Sequence, residues 1–472
     1  MNLIYQVLPR LWGKGKFSSI DESTFTYWKN LGMDTVWYTG VIRHASASSG
    51  EKVIKGEAGS PYAITDYYDV NPYLADEPAR RMEEFEDLVK RTHEAGLKLV
   101  MDFVPNHVAR EYRGSLGQDD DSSVHWAPEN DFFYYPGESL QLPLKVDGFK
   151  EFPAKASGNC FSSAPGINDW WETVKLNYCD FHTGTWDKML DIVLFWAGKG
   201  VDGFRCDMVE LVPPHFMKWL IASVKEKYPE IRFIAEVYQK EKYRMYVEEV
   251  GFDLLYDKSG LYDTLRAVTC SGASAQGISW NWQFLGDLQP HMLNFLENHD
   301  EQRVASDFFC GSAQGGYAAL AVSALFSGAP FMLYFGQEMG ERGMQAEGFS
   351  GLDGRTSIFD WCSVPALRHP DQAVLKRYKE VLNLAAQSLF REGKSFDLGY
   401  CQDEGAFDKD RHFAWLRSDG KRTVLIIANF GPSADITVRI PTEALDYLGI
   451  KPVRTVHALT VPSHDFESME LH

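Results

Sequence analysis

Along most of its 472 residues the chain alternates short apolar runs, rich in β-branched and aromatic residues, with longer segments of helical periodicity. No other feature restricts the fold as tightly. A strand followed by a helix returns to its sheet in the parallel sense, so repeated alternation demands a parallel α/β architecture. Eight strand runs are legible: LIYQVLP (3–9), TVWYTG (35–40), LKLVMDFV (97–104), VDGFRCD (201–207), RFIAEVY (232–238), FDLLYD (252–257), MLNFLENHD (292–300) and PFMLYFG (330–336). Helical stretches lie between them, among them RMEEFEDLVKRTHEAG (81–96), TWDKMLDIVLFWAGKG (185–200), HFMKWLIASVKEK (215–227) and GYAALAVSALFSG (316–328). Eight alternations predict a closed (β/α)8 TIM barrel.

Two segments fall outside this rhythm. The interval between the third and fourth strands is far longer than one βα unit. The excess, residues 106–180, is rich in Gly, Pro, Asn and aromatics (NDFFYYPGESLQLP) and reads as a small insertion subdomain. Loops at the carboxyl ends of barrel strands form the active-site wall, so this insertion is expected to shape a cleft. After a helix at about 372–388 the periodicity changes to two. HFAWLRSDGKRTVLIIANFGPSADITVRIP (412–441), with a turn at Asp419-Gly420, predicts a C-terminal antiparallel β sandwich. The expected domains are therefore a barrel built from residues 1–105 and 181–391, the insertion at 106–180, and the sandwich at 392–472.

Composition excludes some functions. A net charge of -19 disfavours polyanionic partners, so no nucleic acid is expected. Seven widely spaced cysteines form neither a disulfide framework nor a C-x-x-C metal site and suit a reducing compartment. No apolar run is long enough to span a membrane. MNLIYQVLPRLWG is not built like a signal peptide, so a cytoplasmic location is expected. Nothing in the sequence sets the oligomeric state. Aromatic residues, 14% of the chain, serve either core packing or flat platforms for a ligand with apolar faces.

The chemistry gathers at strand ends. DFVPNH (102–107), GFRCD (203–207), AEV (235–237) and ENHD (297–300) all sit where barrel strands converge on one mouth. Asp207, Glu236 and Asp300 would meet there, with Arg205, His107 and His299. Taken singly, each has a bland explanation: an aspartate at a strand end caps helices, and an Arg–Asp pair is most often structural. Four clusters on four strands in order are not explained that way. Two carboxyl groups facing one bond are the working parts of glycoside hydrolysis, one as nucleophile and one as proton donor. Arg205 shares a strand face with Asp207 and is expected to hold that carboxylate ionised. Glu236, on a more apolar strand, is expected to stay protonated until it donates.

These segments resemble the four conserved regions of the α-amylase family of retaining glycoside hydrolases and transglycosylases. GSPYAITDYYDVNP (59–72) and YFGQE (334–338) resemble two further family segments. The resemblance implies an enzyme acting on α-linked glucans or oligosaccharides. It implies Asp207 as nucleophile, Glu236 as general acid/base and Asp300 as transition-state stabiliser. It further implies Arg205 as the group orienting Asp207, with Tyr62, Asp102, His107 and His299 binding the sugar. Two departures stand out. Many family members follow the nucleophile with Lys-His, serving an acceptor subsite and a calcium ion, whereas here Met208, Val209, Glu210 and Leu211 follow. In VKLNY (174–178), Lys175 stands where the family commonly carries a calcium-binding Asp. Calcium needs several oxygen ligands, so no metal and no cofactor are expected at that site. Transfer to a sugar acceptor is the first alternative to hydrolysis, with Phe349, Phe359 and Trp361 in GFSGLDGRTSIFDW (348–361) as an acceptor platform. A non-catalytic carbohydrate-binding homologue is the lesser one.

Overall fold

The computed structural model describes residues 1–113, 131–179, 182, 184–345, 349, 351–402 and 405–471. Its centre is a closed barrel of eight parallel strands: β1 (Leu3–Val7), β2 (Thr35–Tyr38), β3 (Lys98–Phe103), β4 (Gly203–Cys206), β5 (Arg232–Ala235), β6 (Leu254–Tyr256), β7 (Met292–Phe295) and β8 (Phe331–Tyr334). Each strand pairs with its sequence neighbours, and β1 closes on β8 through Leu3–Gln6 against Phe331–Tyr334. All eight runs read from the sequence are strands, and each is shorter than its run. Among the residues trimmed from the carboxyl ends are Asp207, Glu236 and Asp300, which lie beyond the ladder and line the mouth.

Every residue of β1, β2, β4, β7 and β8 is buried, as expected of strands covered on both faces. Helices Arg81–Glu94, Gly184–Gly198, Pro214–Lys227 and Tyr317–Leu325 cover the outside. In Arg81–Glu94 the buried positions Phe85, Leu88, Val89 and Thr92 recur at helical spacing. Close packing dictates one glycine on β4. A Cβ on Gly203 would lie 2.8 Å from Met1 Cε and 2.9 Å from the Arg232 carbonyl oxygen. The strand that carries Arg205 and Asp207 thus sits tightly between its neighbours.

The insertion is small and irregular among its described residues. His107–Ala109 pairs antiparallel with Thr173–Lys175, and Tyr134–Tyr135 with Ala154–Lys155. Arg110 ties it together, reaching Glu151 at 2.7 Å, the Trp171 carbonyl at 2.6 Å and the Ser157 hydroxyl at 2.8 Å. The alternation of strand and helix resumes with the helix that begins at Gly184.

C-terminal to the barrel, β9 (Lys394–Asp397), β10 (His412–Ser418), β11 (Thr423–Asn429) and β14 (Phe466–Leu471) form one antiparallel sheet, and β12 (Ala434–Arg439) with β13 (Val456–Val461) a second. Alternation decides which core each residue joins. Phe413, Trp415 and Ile426 face the barrel core, where Phe326 meets Phe413 at 4.9 Å, while Ala414, Leu416 and Ile427 pack with Ile436 and Val438. No helix among the described residues is long and apolar enough to cross a membrane.

Candidate active site

The carboxyl ends of the strands enclose a cavity of about 410 Å³, and Asp207, Glu236 and Asp300 all line it. Backbone pairing carries on just past the strands. The Asp207 N–H donates to the Phe103 carbonyl at 2.9 Å, and the Glu236 N–H to the Cys206 carbonyl at 3.2 Å. Both acids therefore leave the barrel at a fixed height. Tyr62 and His107 line the same cavity, with Trp170 from the insertion and Phe359 from the segment after β8.

Arg205 is the hub. Its side chain is fully buried, with Nη1 donating to Asp207 Oδ1 at 2.7 Å, Nη2 2.9 Å from Glu236 Oε2, and Nη1 3.6 Å from Asp102 Oδ1. The rings of Trp37, Tyr62 and Tyr256 surround its guanidinium at 5.3–5.5 Å. One cation thus bridges two carboxyl groups, where the sequence suggested service to Asp207 alone. Burial pushes the Asp207 carboxyl well above its ordinary range. Arg205 pulls it down, as its place on the same strand face implies, but does not offset that burial; Glu236 and Asp300 add to the rise. The surroundings of Glu236 are also more polar than its strand implied. Glu236 Oε2 accepts from the Met208 N–H at 2.9 Å, and Oε1 from the Tyr238 hydroxyl at 2.7 Å.

Asp300 sits at the mouth with its side chain 40% exposed. Burial raises its carboxyl, but His299, 3.0 Å away through Nε2, and then Arg205 outweigh it and hold Asp300 at about 2. Two residues expected to bind sugar, Asp102 and His299, do not line this cavity and contact the residues of its wall. Asp102 accepts from Trp37 Nε1 and the Tyr62 hydroxyl, both at 3.2 Å. His299 is clamped between Gln6, whose Nε2 donates to Nδ1 at 2.8 Å, and Tyr62, whose ring stacks on it at 5.3 Å. With Arg205 they contact Tyr62, Asp207, Glu236 and Asp300, which line the cavity. His107 does face the cavity, against Trp170 at 5.2 Å, and burial followed by the charge of Lys175 lowers its imidazole to about 3. The approach to Tyr62 depends on Gly59, at φ +73°, where a Cβ would strike the Ala45 carbonyl oxygen at 1.7 Å.

Sequence reasoning missed the device that couples the two acids. Met208, directly after Asp207, adopts left-handed backbone (φ 45°), which aims its N–H at Glu236. Glu210 makes a second tie, accepting from the Tyr238 N–H at 2.8 Å. The loops after β4 and β5 therefore hold each other. The sequence signal was the very departure from Lys-His noted above. Tyr238→Phe, which removes a donor from Glu236 without changing shape, is expected to lower kcat by about tenfold in steady-state assays.

A sequence model of the family described as "Alpha amylase, catalytic domain" matches residues 13–372. The chain belongs to the α-amylase family. Within the family, α-amylase MalA of Haloarcula japonica is 26% identical over 454 residues, 93% of this chain and 57% of that protein. A probable oligo-1,6-glucosidase 3 of Bacillus subtilis is 24% identical over 401 residues, 72% of this chain and 65% of its own length. The chain thus spans less than two thirds of either relative. Among solved structures, the cyclic α-maltosyl-(1→6)-maltose hydrolase of Arthrobacter globiformis shares the fold over the whole chain and 98% of its own, at a TM-score of 0.72 and 18% identity.

The residues at the family's calcium position do not fit that ion. Lys175 Nζ donates to Asn106 Oδ1 and, at 2.7 Å, to the Leu211 carbonyl. An ammonium already engages two of the oxygens a calcium ion would use, and it repels a second cation. Burial lowers Lys175 to about 7, so the two acceptors oppose a desolvation cost.

Proposed function

We propose that the protein cleaves α-glucosidic bonds in α-glucans or maltooligosaccharides with retention of configuration. The observation that carries this reading is the cavity in which three carboxyl groups from three strand ends meet, two of them bridged by one buried arginine. Asp207 attacks the anomeric carbon while Glu236 protonates the leaving oxygen, giving a glycosyl-enzyme ester on Asp207. Water deprotonated by Glu236 then releases the sugar. Arg205 makes the two roles compatible. Whichever carboxyl carries the proton, the guanidinium stays against the other. A proton on Glu236 neutralises one of the two acids that raise Asp207, which favours the ionised nucleophile. Asp300, held as an anion, suits the hydroxyls and developing positive charge of the distorted sugar.

Transfer to a sugar acceptor runs on the same intermediate. Phe349 and Phe359 line the cavity, edge to face at 5.4 Å, beside Lys55. Trp361 does not join them; it packs on Tyr73 at 4.9 Å and borders a different hollow, so the acceptor platform is two rings rather than three. The deciding experiment incubates the enzyme with starch, maltooligosaccharides, cyclodextrin, pullulan, trehalose and sucrose, then separates products by size. Shorter α-anomeric products from the glucans support hydrolysis, longer ones transfer, and no change in any substrate contradicts the proposal.

We also propose that Lys175 replaces calcium as the cation joining the insertion to the loop after β4. Chelator is then expected to leave both activity and Tm unchanged. Lys175→Met, which strands the Asn106 and Leu211 oxygens, should cost about 1–3 kcal/mol in denaturant unfolding.

A further inference from the structure

A second hollow, of about 620 Å³, lies where helix Gln276–Leu285 of the barrel meets the C-terminal sheet. It shares no lining residue with the acidic cavity. Three large rings border it while exposed to solvent: Trp280 at 64%, Tyr400 at 62% and Tyr447 at 54%. Water-exposed aromatic surface concentrated at one concave place marks a binding site more often than chance.

The rings are held rather than loose. Phe396 stands between Tyr400 and Tyr447, 6.2 Å and 5.8 Å from their centroids. Lys394 Nζ donates to the Tyr447 carbonyl at 3.1 Å and lies over its ring. Trp280 projects from a helix whose buried side is Ile278, Asn281 and Leu285. Polar groups share the hollow: Gln276, Ser279, Gln283, Asp397, Lys409 and His412. The Asp408 N–H donates to His412 Nδ1 at 3.1 Å, so the neutral ring carries its proton on Nε2. Rings flanked by amides, a carboxylate and an imidazole N–H match a ligand with flat C–H faces and a rim of hydroxyls. They do not match a purely apolar partner surface, and the net charge of -19 opposes a polyanion.

We propose that this hollow binds an α-linked glucan chain away from the catalytic cavity, its glucose units stacking on Trp280, Tyr400 and Tyr447. The ligand class rests on the reading of the acidic cavity; the existence of a second site rests on these rings. Binding there tethers a polymer and raises the local concentration of scissile bonds, so it acts on long substrates and not on short ones.

Titration calorimetry with maltoheptaose on full-length Asp207→Asn protein tests this. Two sites per chain are expected, falling to one when Trp280→Ala and Tyr400→Ala are added. With Asp207 restored, the double variant should lose about tenfold in kcat/KM on soluble amylopectin and stay within about twofold on maltotriose. One site before and after the ring substitutions, with normal maltotriose turnover, overturns the second site and spares the active-site reading. An absence of maltotriose turnover in the parent instead contradicts the active-site reading. Sedimentation adds a control. A parent dimer that the ring substitutions dissociate, with the number of maltoheptaose sites unchanged, shows that the rings bind a second copy and overturns the proposal.

Discussion

Asp207→Asn is expected to remove turnover by about four orders of magnitude or more while leaving the fold intact. The proposed reaction needs an electron pair on this oxygen, and an amide supplies a poor one. The packing changes little, because asparagine has nearly the same shape and its amide oxygen can still accept from Arg205 at the position of Oδ1. Stability should hold or rise slightly. A carboxylate whose charged form is disfavoured by burial and by two neighbouring acids costs folding free energy, and the amide carries no charge. The checks are a burst-free progress curve on maltooligosaccharide and an unchanged or higher Tm. Activity within a hundredfold of the parent would mean that another group attacks the sugar.

The second large effect concerns Arg205. Replacing it with Met, similar in length and without charge, leaves Asp207 and Glu236 buried against each other without their shared cation. Breaking a buried pair from one side costs about 3–5 kcal/mol, and turnover should vanish as well. The loss must depend on pH in a definite sense. In Arg205→Met the Asp207 carboxyl, already raised by burial and by its acidic neighbours, loses the cation that pulls it down and binds its proton more readily still in the folded state. Wherever the native state binds more protons, stability falls as pH rises. The variant is therefore expected to lie nearest the parent under mild acid and furthest from it at neutral and alkaline pH. Urea unfolding at several pH values reads this directly. A destabilisation that is constant with pH would show that Arg205 supports packing and not the acids.

Much of this arrangement was legible before any coordinates because a barrel makes sequence order and spatial order coincide. Once eight runs are recognised, GFRCD, AEV and ENHD must point into one mouth. The limits of legibility are equally physical. That Arg205 bridges Glu236 as well as Asp207 depends on the stagger between β4 and β5, where Arg205 stands opposite Ile234. Residue spacing alone does not report that stagger. Asp102 and His299 look like ligand contacts in a motif, yet the bulk of Trp37 and Tyr62 sets them back. Left-handed backbone at Met208 carries no composition cue, since a glycine or asparagine would have signalled it and a methionine does not. The exposed rings at Trp280, Tyr400 and Tyr447 are scattered along the sequence and come together only when the barrel and the C-terminal sheet pack.

A retaining mechanism requires a covalent bond between sugar and one aspartate, and that bond can be weighed. Incubation with 5-fluoro-α-D-glucosyl fluoride, whose ester turns over slowly, followed by proteolysis and mass spectrometry, should place one fluoroglucosyl group on the peptide containing Asp207. An active enzyme that carries the label on a different residue, or that inverts its product and never becomes labelled, would contradict it.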